Sequence, residues 1–177
     1  DHCLPSFSPD GTSIAAACYD RNDSLFVYDV ATGRRTLKIP ATNGGVAYSP
    51  DGSRIVTACC DGSPRIWDPR TGRELLALQG HTGEVFGVAW SVDGTRLATG
   101  GTDGTARVWD ATSGRQVMVL SGHAGGLGMV DLSPDGTRLA YATRVGRDRF
   151  DIAVLDLVTL QSARLTSGAG SNETPTF

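Results

Sequence analysis

Lysine is almost missing from this sequence. Lys38 is the only one, and every other cationic side chain is an arginine. There is no run of like charge, and the formal net charge is −3. That balance lacks the basic stripe a nucleic-acid partner requires. No apolar run approaches the length of a membrane span, and no signal-peptide pattern opens the chain. No stretch carries the 3.6-residue apolar period of an amphipathic helix. Signatures of chemistry are missing too: there is no Gly-x-Ser-x-Gly elbow, no phosphate loop and no His-Glu-x-x-His. With three histidines in 177 residues, the residue types that usually do catalysis are thin on the ground. The expectation is a chain that is not an enzyme.

Cysteine is limited to four residues. Cys18 and Cys59 each lie ten residues after the serine of a repeated turn, so they share a strand position in neighbouring repeats. Such positions are too far apart for a disulfide. Cys59 and Cys60 are adjacent and face opposite sides of a strand. The expectation is therefore free thiols in a reducing compartment, with no disulfide framework. His2, Cys3 and the Cys59-Cys60 pair have no metal-ligand spacing, so neither a metal nor a cofactor is expected.

What the sequence does have is a repeat. Ser-Pro-Asp-Gly starts at Ser8, Ser49 and Ser133, and Ser-Val-Asp-Gly at Ser91, giving intervals of 41, 42 and 42 residues. In step with these turns come Tyr28-Asp29, Trp67-Asp68, Trp109-Asp110 and Leu155-Asp156. The fullest copy runs from Gly80 to Gly114. Its Arg96-Leu97-Ala98-Thr99 and Ala106-Arg107-Val108-Trp109 alternate polar and apolar, as half-buried strands do. Asp93-Gly94 and Asp103-Gly104 are turn signals between them, because Asp bonds its own backbone and Gly accepts positive φ. Four short strands per period predict an all-β chain.

These residues resemble the WD-repeat family of β-propellers. The resemblance rests on a period near 42, on Gly80-His81 and on the Trp-Asp pairs occurring together. It implies four-stranded antiparallel blades at about residues 4–43, 44–84, 85–126 and 127–173, an open partial propeller within one domain spanning residues 1–177. The fourth repeat departs furthest, and its Asp151 to Asp156 and Ala163 to Thr166 stretches look like a TolB-type repeat. Thr174-Pro175-Thr176-Phe177 matches Leu4-Pro5-Ser6-Phe7, as if a fifth repeat began there. With no initiator Met, this leads to the expectation of a segment of a longer propeller. The alternative is a short chain that completes its ring by self-association.

By resemblance, a structural hydrogen-bond network falls on His81, Thr99, Asp103 and Trp109, and in part on Thr57, Asp61 and Trp67. Partner-facing positions fall on Tyr19, Cys60, Thr102 and Arg144, with Glu84 and Phe86 of the third repeat. Arg144, Arg147 and Arg149 form the one local basic cluster. It suits an acidic peptide or phosphate, or is a solvated hairpin tip balanced by Asp148. The expected function is a non-catalytic WD-repeat scaffold for a protein or peptide partner, without nucleic acid or membrane. It is expected in the cytoplasm, with the periplasm as the alternative. Arg-rich, Ala- and Gly-rich usage points to a bacterial source. Alternatives are the propeller portion of an enzyme (peptidase, kinase or NTPase) and a periplasmic TolB-like interaction protein. Uncovered faces at the ends of the arc lead to the expectation of a homodimer closing an eight-bladed ring.

Overall fold

The computed structural model describes residues 3–18, 24–40, 44–121, 126–144 and 150–166, the side chain of Arg144 excepted. Tyr19, Arg147 and Arg149 lie outside the described residues, as do His2, His123 and the 174–177 ending.

The described residues form sixteen strands in four antiparallel sheets of four, each a simple meander. The first holds β1 (Cys3–Phe7), β2 (Ser13–Cys18), β3 (Ser24–Asp29) and β4 (Arg35–Pro40). The second holds β5 (Val46–Tyr48), β6 (Ile55–Thr57), β7 (Arg65–Trp67) and β8 (Glu74–Ala77). The third holds β9 (Val85–Trp90), β10 (Arg96–Gly101), β11 (Ala106–Asp110) and β12 (Gln116–Leu120). The fourth holds β13 (Leu127–Leu132), β14 (Arg138–Arg144), β15 (Phe150–Asp156) and β16 (Ser162–Arg164). This is an all-β, open, four-bladed part of a β-propeller.

The four Asp-Gly turns between first and second strands share one construction. In the third sheet the Ser91 hydroxyl donates to Asp93 at 2.6 Å, Asp93 accepts from the Thr95 amide, and Ser91 and Arg96 close the hairpin. Gly94 takes φ +69°, which a residue with a Cβ rarely adopts. These hydrogen bonds hold the aspartates ionised. The Ser49 hydroxyl, with Ser53, lowers Asp51 to about 2, and the Ser133 hydroxyl, with Thr137, lowers Asp135 to about 2.

The core lies between the sheets and comes in three parts. Leu25, Val27 and Ile39 of the first sheet meet Tyr48, Ile55 and Trp67 of the second. Val56, Ile66 and Leu78 meet Trp90, Leu97 and Trp109 at the next junction. Ala98 and Val108 meet Leu127, Leu139, Tyr141 and Leu155 at the last. Strand alternation explains this: Trp67 and Ile66 point to opposite sides, so each sheet feeds two junctions. Successive sheets touch through β1 and β5, β5 and β9, and β9 and β13. No comparable packing joins the first sheet to the fourth among the described residues.

One expectation is overturned. Cys3 and Cys18 form a disulfide within the first sheet. They are direct cross-strand partners on β1 and β2 with Cα atoms 4.1 Å apart. The partner of Cys18 sits across the hairpin of the same repeat, not at the equivalent position of the next one. Cys59 and Cys60 are free, the first buried and the second exposed.

Candidate functional site

Two constellations stand at the β10–β11 end of the third sheet. The first is the buried network. Trp109 Nε1 donates to Thr99 Oγ1 at 2.9 Å, and Thr99 Oγ1 lies 2.8 Å from His81 Nε2. His81 Nδ1 faces the Asp103 carboxylate at 3.0 and 3.1 Å. With the proton of a neutral His81 on Nδ1, each donor has one acceptor along the whole chain. Asp103 also accepts from the Thr82 and Thr105 amides and from the Thr105 hydroxyl. Burial pushes His81 below its ordinary pKa against the pull of Asp103. Burial would raise Asp103, but the bonds from Thr105 and Thr82 hold it below the usual carboxylate value.

Gly101 makes the network possible, since a Cβ there would come within 2.7 Å of His81 Nδ1. The His81 side chain is fully buried and Asp103 nearly so. A His-Asp pair beside a hydroxyl has the makings of proton-transfer chemistry, yet here Nε2 is already taken by Thr99.

The second sheet carries a reduced version. Trp67 Nε1 donates to Thr57 Oγ1 at 2.9 Å. Asp61 is paired with Arg65 at 2.5 Å instead of a histidine. Arg65 also donates to Cys59 Sγ at 2.8 Å. Cys59 stands where the third sheet has Gly101, so the sulfur uses space that a glycine leaves for an imidazole.

The second constellation is a recess of about 380 Å³ lined by Phe86, Thr102, Gly126, Leu127, Gly128 and Phe150. A neighbouring recess of about 230 Å³ shares Phe86, Gly128 and Phe150 and adds Met129 and Ala142. Phe86 comes from β9, Phe150 from the start of β15, and the glycines put no side chain between the two rings. Thr102 is exposed, and its amide donates to the Glu84 carbonyl at 2.8 Å, which ties the hairpin tip to the start of β9. Cys60 is exposed beside the same end, because the Val85 amide donates to the Cys59 carbonyl. The structure thus gathers Cys60, Glu84, Phe86 and Thr102 along one end of the arc. Arg144 ends β14 nearby in the sheet order.

Phe150 is a lining residue that sequence reasoning missed. The repeat has no aromatic counterpart there, so periodicity carried no signal for it. Among the described residues no group of three or more His, Cys, Asp or Glu could hold a metal ion. No helix of the described residues is long and apolar enough to cross a membrane.

With this geometry in hand, comparison with protein families finds the TolB β-propeller domain, matched over residues 3–177. The chain belongs to the TolB β-propeller family. A search of the curated proteins finds no match. The TolB match covers all four sheets, where the sequence placed TolB-like features in the fourth alone. In this TolB-type propeller the Asp-Gly turns and meander sheets recur in all four repeats. The histidine network belongs to the third sheet, and the phenylalanine recess to its junction with the fourth.

Proposed function

We propose that this propeller is a non-catalytic scaffold that binds a peptide segment of a partner protein in the recess between Phe86 and Phe150. The observation that carries the reading is two half-buried aromatic rings flanking a glycine-floored recess, with exposed polar Thr102 and Glu84 at its edge. Aromatic anchors in pockets dominate binding energy at such sites, and a polar rim excludes water around them. The reading is not an enzyme's, because the His81-Asp103 pair is consumed by structure. Finer features belong to the same proposal. The second and third sheets are WD-type blades, supported by the Trp-Thr and His-Asp bonds. The source is bacterial, supported by arginine, alanine and glycine usage.

The test is selection of random peptides displayed on phage against the 177-residue chain, with Phe86→Ala as the counter-target. The expected outcome is enriched peptides with an apolar anchor that bind the variant at least about tenfold more weakly, the loss expected for a hot-spot ring. Peptides that bind both proteins equally would contradict the reading.

A periplasmic TolB-like interaction protein is a second reading, and the Cys3–Cys18 bond favours it, since such bonds persist in oxidising compartments. Alkylation of the unfolded chain without reductant is expected to label Cys59 and Cys60 alone. Labelling of all four cysteines in protein isolated from its native source would count for the cytoplasm.

A further inference from the structure

The junction between the first two sheets contains an unfilled slot that the next junction fills with an arginine. At the second junction Arg54 leaves its own sheet and inserts into the third. Its guanidinium lies 4.7 Å from the Trp90 ring centroid. One nitrogen donates to the Ala111 carbonyl at 2.6 Å and the other to the Gly94 carbonyl at 3.2 Å. A flat aromatic face and two carbonyls in reach of one fork suit a guanidinium better than an ammonium.

Each part of that slot has a counterpart one repeat earlier. Ser13 stands for Arg54, since both amides bond the serine that opens their turn. Tyr48 stands for Trp90, because Tyr48 pairs with Ile55 as Trp90 pairs with Leu97. Gly52 stands for Gly94, and Pro69, after Asp68, for Ala111, after Asp110. Ser13 is too short to cross the junction. A recess of about 550 Å³ remains, with Ser13, Tyr48, Gly52 and Pro69 in its lining. Among the described residues nothing donates to the Gly52 or Pro69 carbonyl.

Charge in the recess has the matching sign. Asp10 and Asp51 line it, against the one exposed cation Arg70 at its rim. Burial first, and then the Asp10 charge, pushes the Tyr48 hydroxyl above its ordinary pKa. The third junction lacks the arrangement: Leu132 pairs with Leu139 where the aromatic would be, and Arg96 is exposed.

We propose that the recess between the first and second sheets is a binding site for a guanidinium group supplied from outside the chain. It takes the place that Arg54 takes one junction on, with Tyr48 as its aromatic wall and the Gly52 and Pro69 carbonyls as acceptors. The site is separate from the Phe86–Phe150 recess and stands or falls apart from it.

The test is amide NMR of the 177-residue chain titrated with ethylguanidinium and with N-acetyl-arginine methylamide, using N-acetyl-lysine methylamide as control. Both guanidinium probes are expected to shift the Ser13, Tyr48 and Gly52 amides saturably, with a Kd on the order of 1 mM. The lysine probe is expected to bind about fivefold more weakly or worse, lacking the fork. Tighter binding of the arginine amide assigns the site to a polypeptide side chain, and tighter binding of ethylguanidinium to a small cation. Ser13→Arg supplies the guanidinium internally and is expected to abolish the shifts. Tyr48→Leu, which copies the residue of the fourth sheet, is expected to abolish them independently. No saturable shift with either probe up to about 10 mM, or wild-type shifts in both variants, would overturn the proposal.

Discussion

Asp103 holds together more of the third sheet than its place in a hairpin turn implies. Its carboxylate takes bonds from His81, from Thr105 and from the amides of Thr82 and Thr105. Removing it strands the His81 donor, whose side chain is fully buried. Asp103→Ala is therefore expected to destabilise the chain by about 1–3 kcal/mol, the cost of buried groups left unpaired. A thermal melt of the variant at neutral pH measures it, and an unchanged midpoint would mean that the network contributes nothing. At this scale the sequence was readable where the repeat is complete. His81, Thr99, Asp103 and Trp109 could be placed by resemblance to the WD repeat, and the structure joins them by direct bonds. In the second sheet the resemblance located Thr57, Asp61 and Trp67 but not what Asp61 touches. Arg65 and Cys59 replace the histidine there, and that exchange depends on side-chain volume, which spacing does not encode.

Among the elements, the turns before each fourth strand differ in one telling way. Gly33, Gly72 and Gly114 take φ of 66°, 73° and 70° in the first three sheets. In the fourth, Leu160 holds the same conformation at φ 60°, with its amide bonded to the Asp156 carbonyl. A left-handed residue with a Cβ carries a steric cost of about 1–2 kcal/mol, part of which glycine's unfolded-state entropy offsets. Leu160 is 60% exposed, so little packing is lost with its side chain. Leu160→Gly is expected to raise stability by about 0.5–1 kcal/mol in urea unfolding; a loss of stability would mean that the leucine side chain has a packing role. The hairpins also explain the missed disulfide. Cys3 lies five residues before Ser8 and Cys18 five after Ser13, and Ser8 and Ser13 close the turn. Symmetry about that turn puts the two sulfurs opposite each other, a signal present in the sequence but read along the repeat and not across it.

Among the described residues three inter-sheet cores serve four sheets, so two faces have no described sheet against them. On the first sheet, Phe7 is 61% exposed, while Phe26 is shielded by Arg35 and Lys38 at 5.4 and 5.6 Å from its ring. On the fourth, strand alternation turns Ile152 and Val154 away from the third sheet. One face thus presents an aromatic flanked by cations, the other aliphatic side chains. We propose that in a head-to-tail pair each first-sheet face meets a fourth-sheet face of the other copy, so that two copies close an eight-bladed ring with two-fold symmetry. The number of sheets was legible from the turn spacing; the chemistry of the end faces was not, because alternation does not say which face has a neighbour. A ring closed by a second copy is expected to run in light scattering on a sizing column as a single species of twice the 18.5 kDa chain mass. A monodisperse particle of the chain mass itself would contradict it.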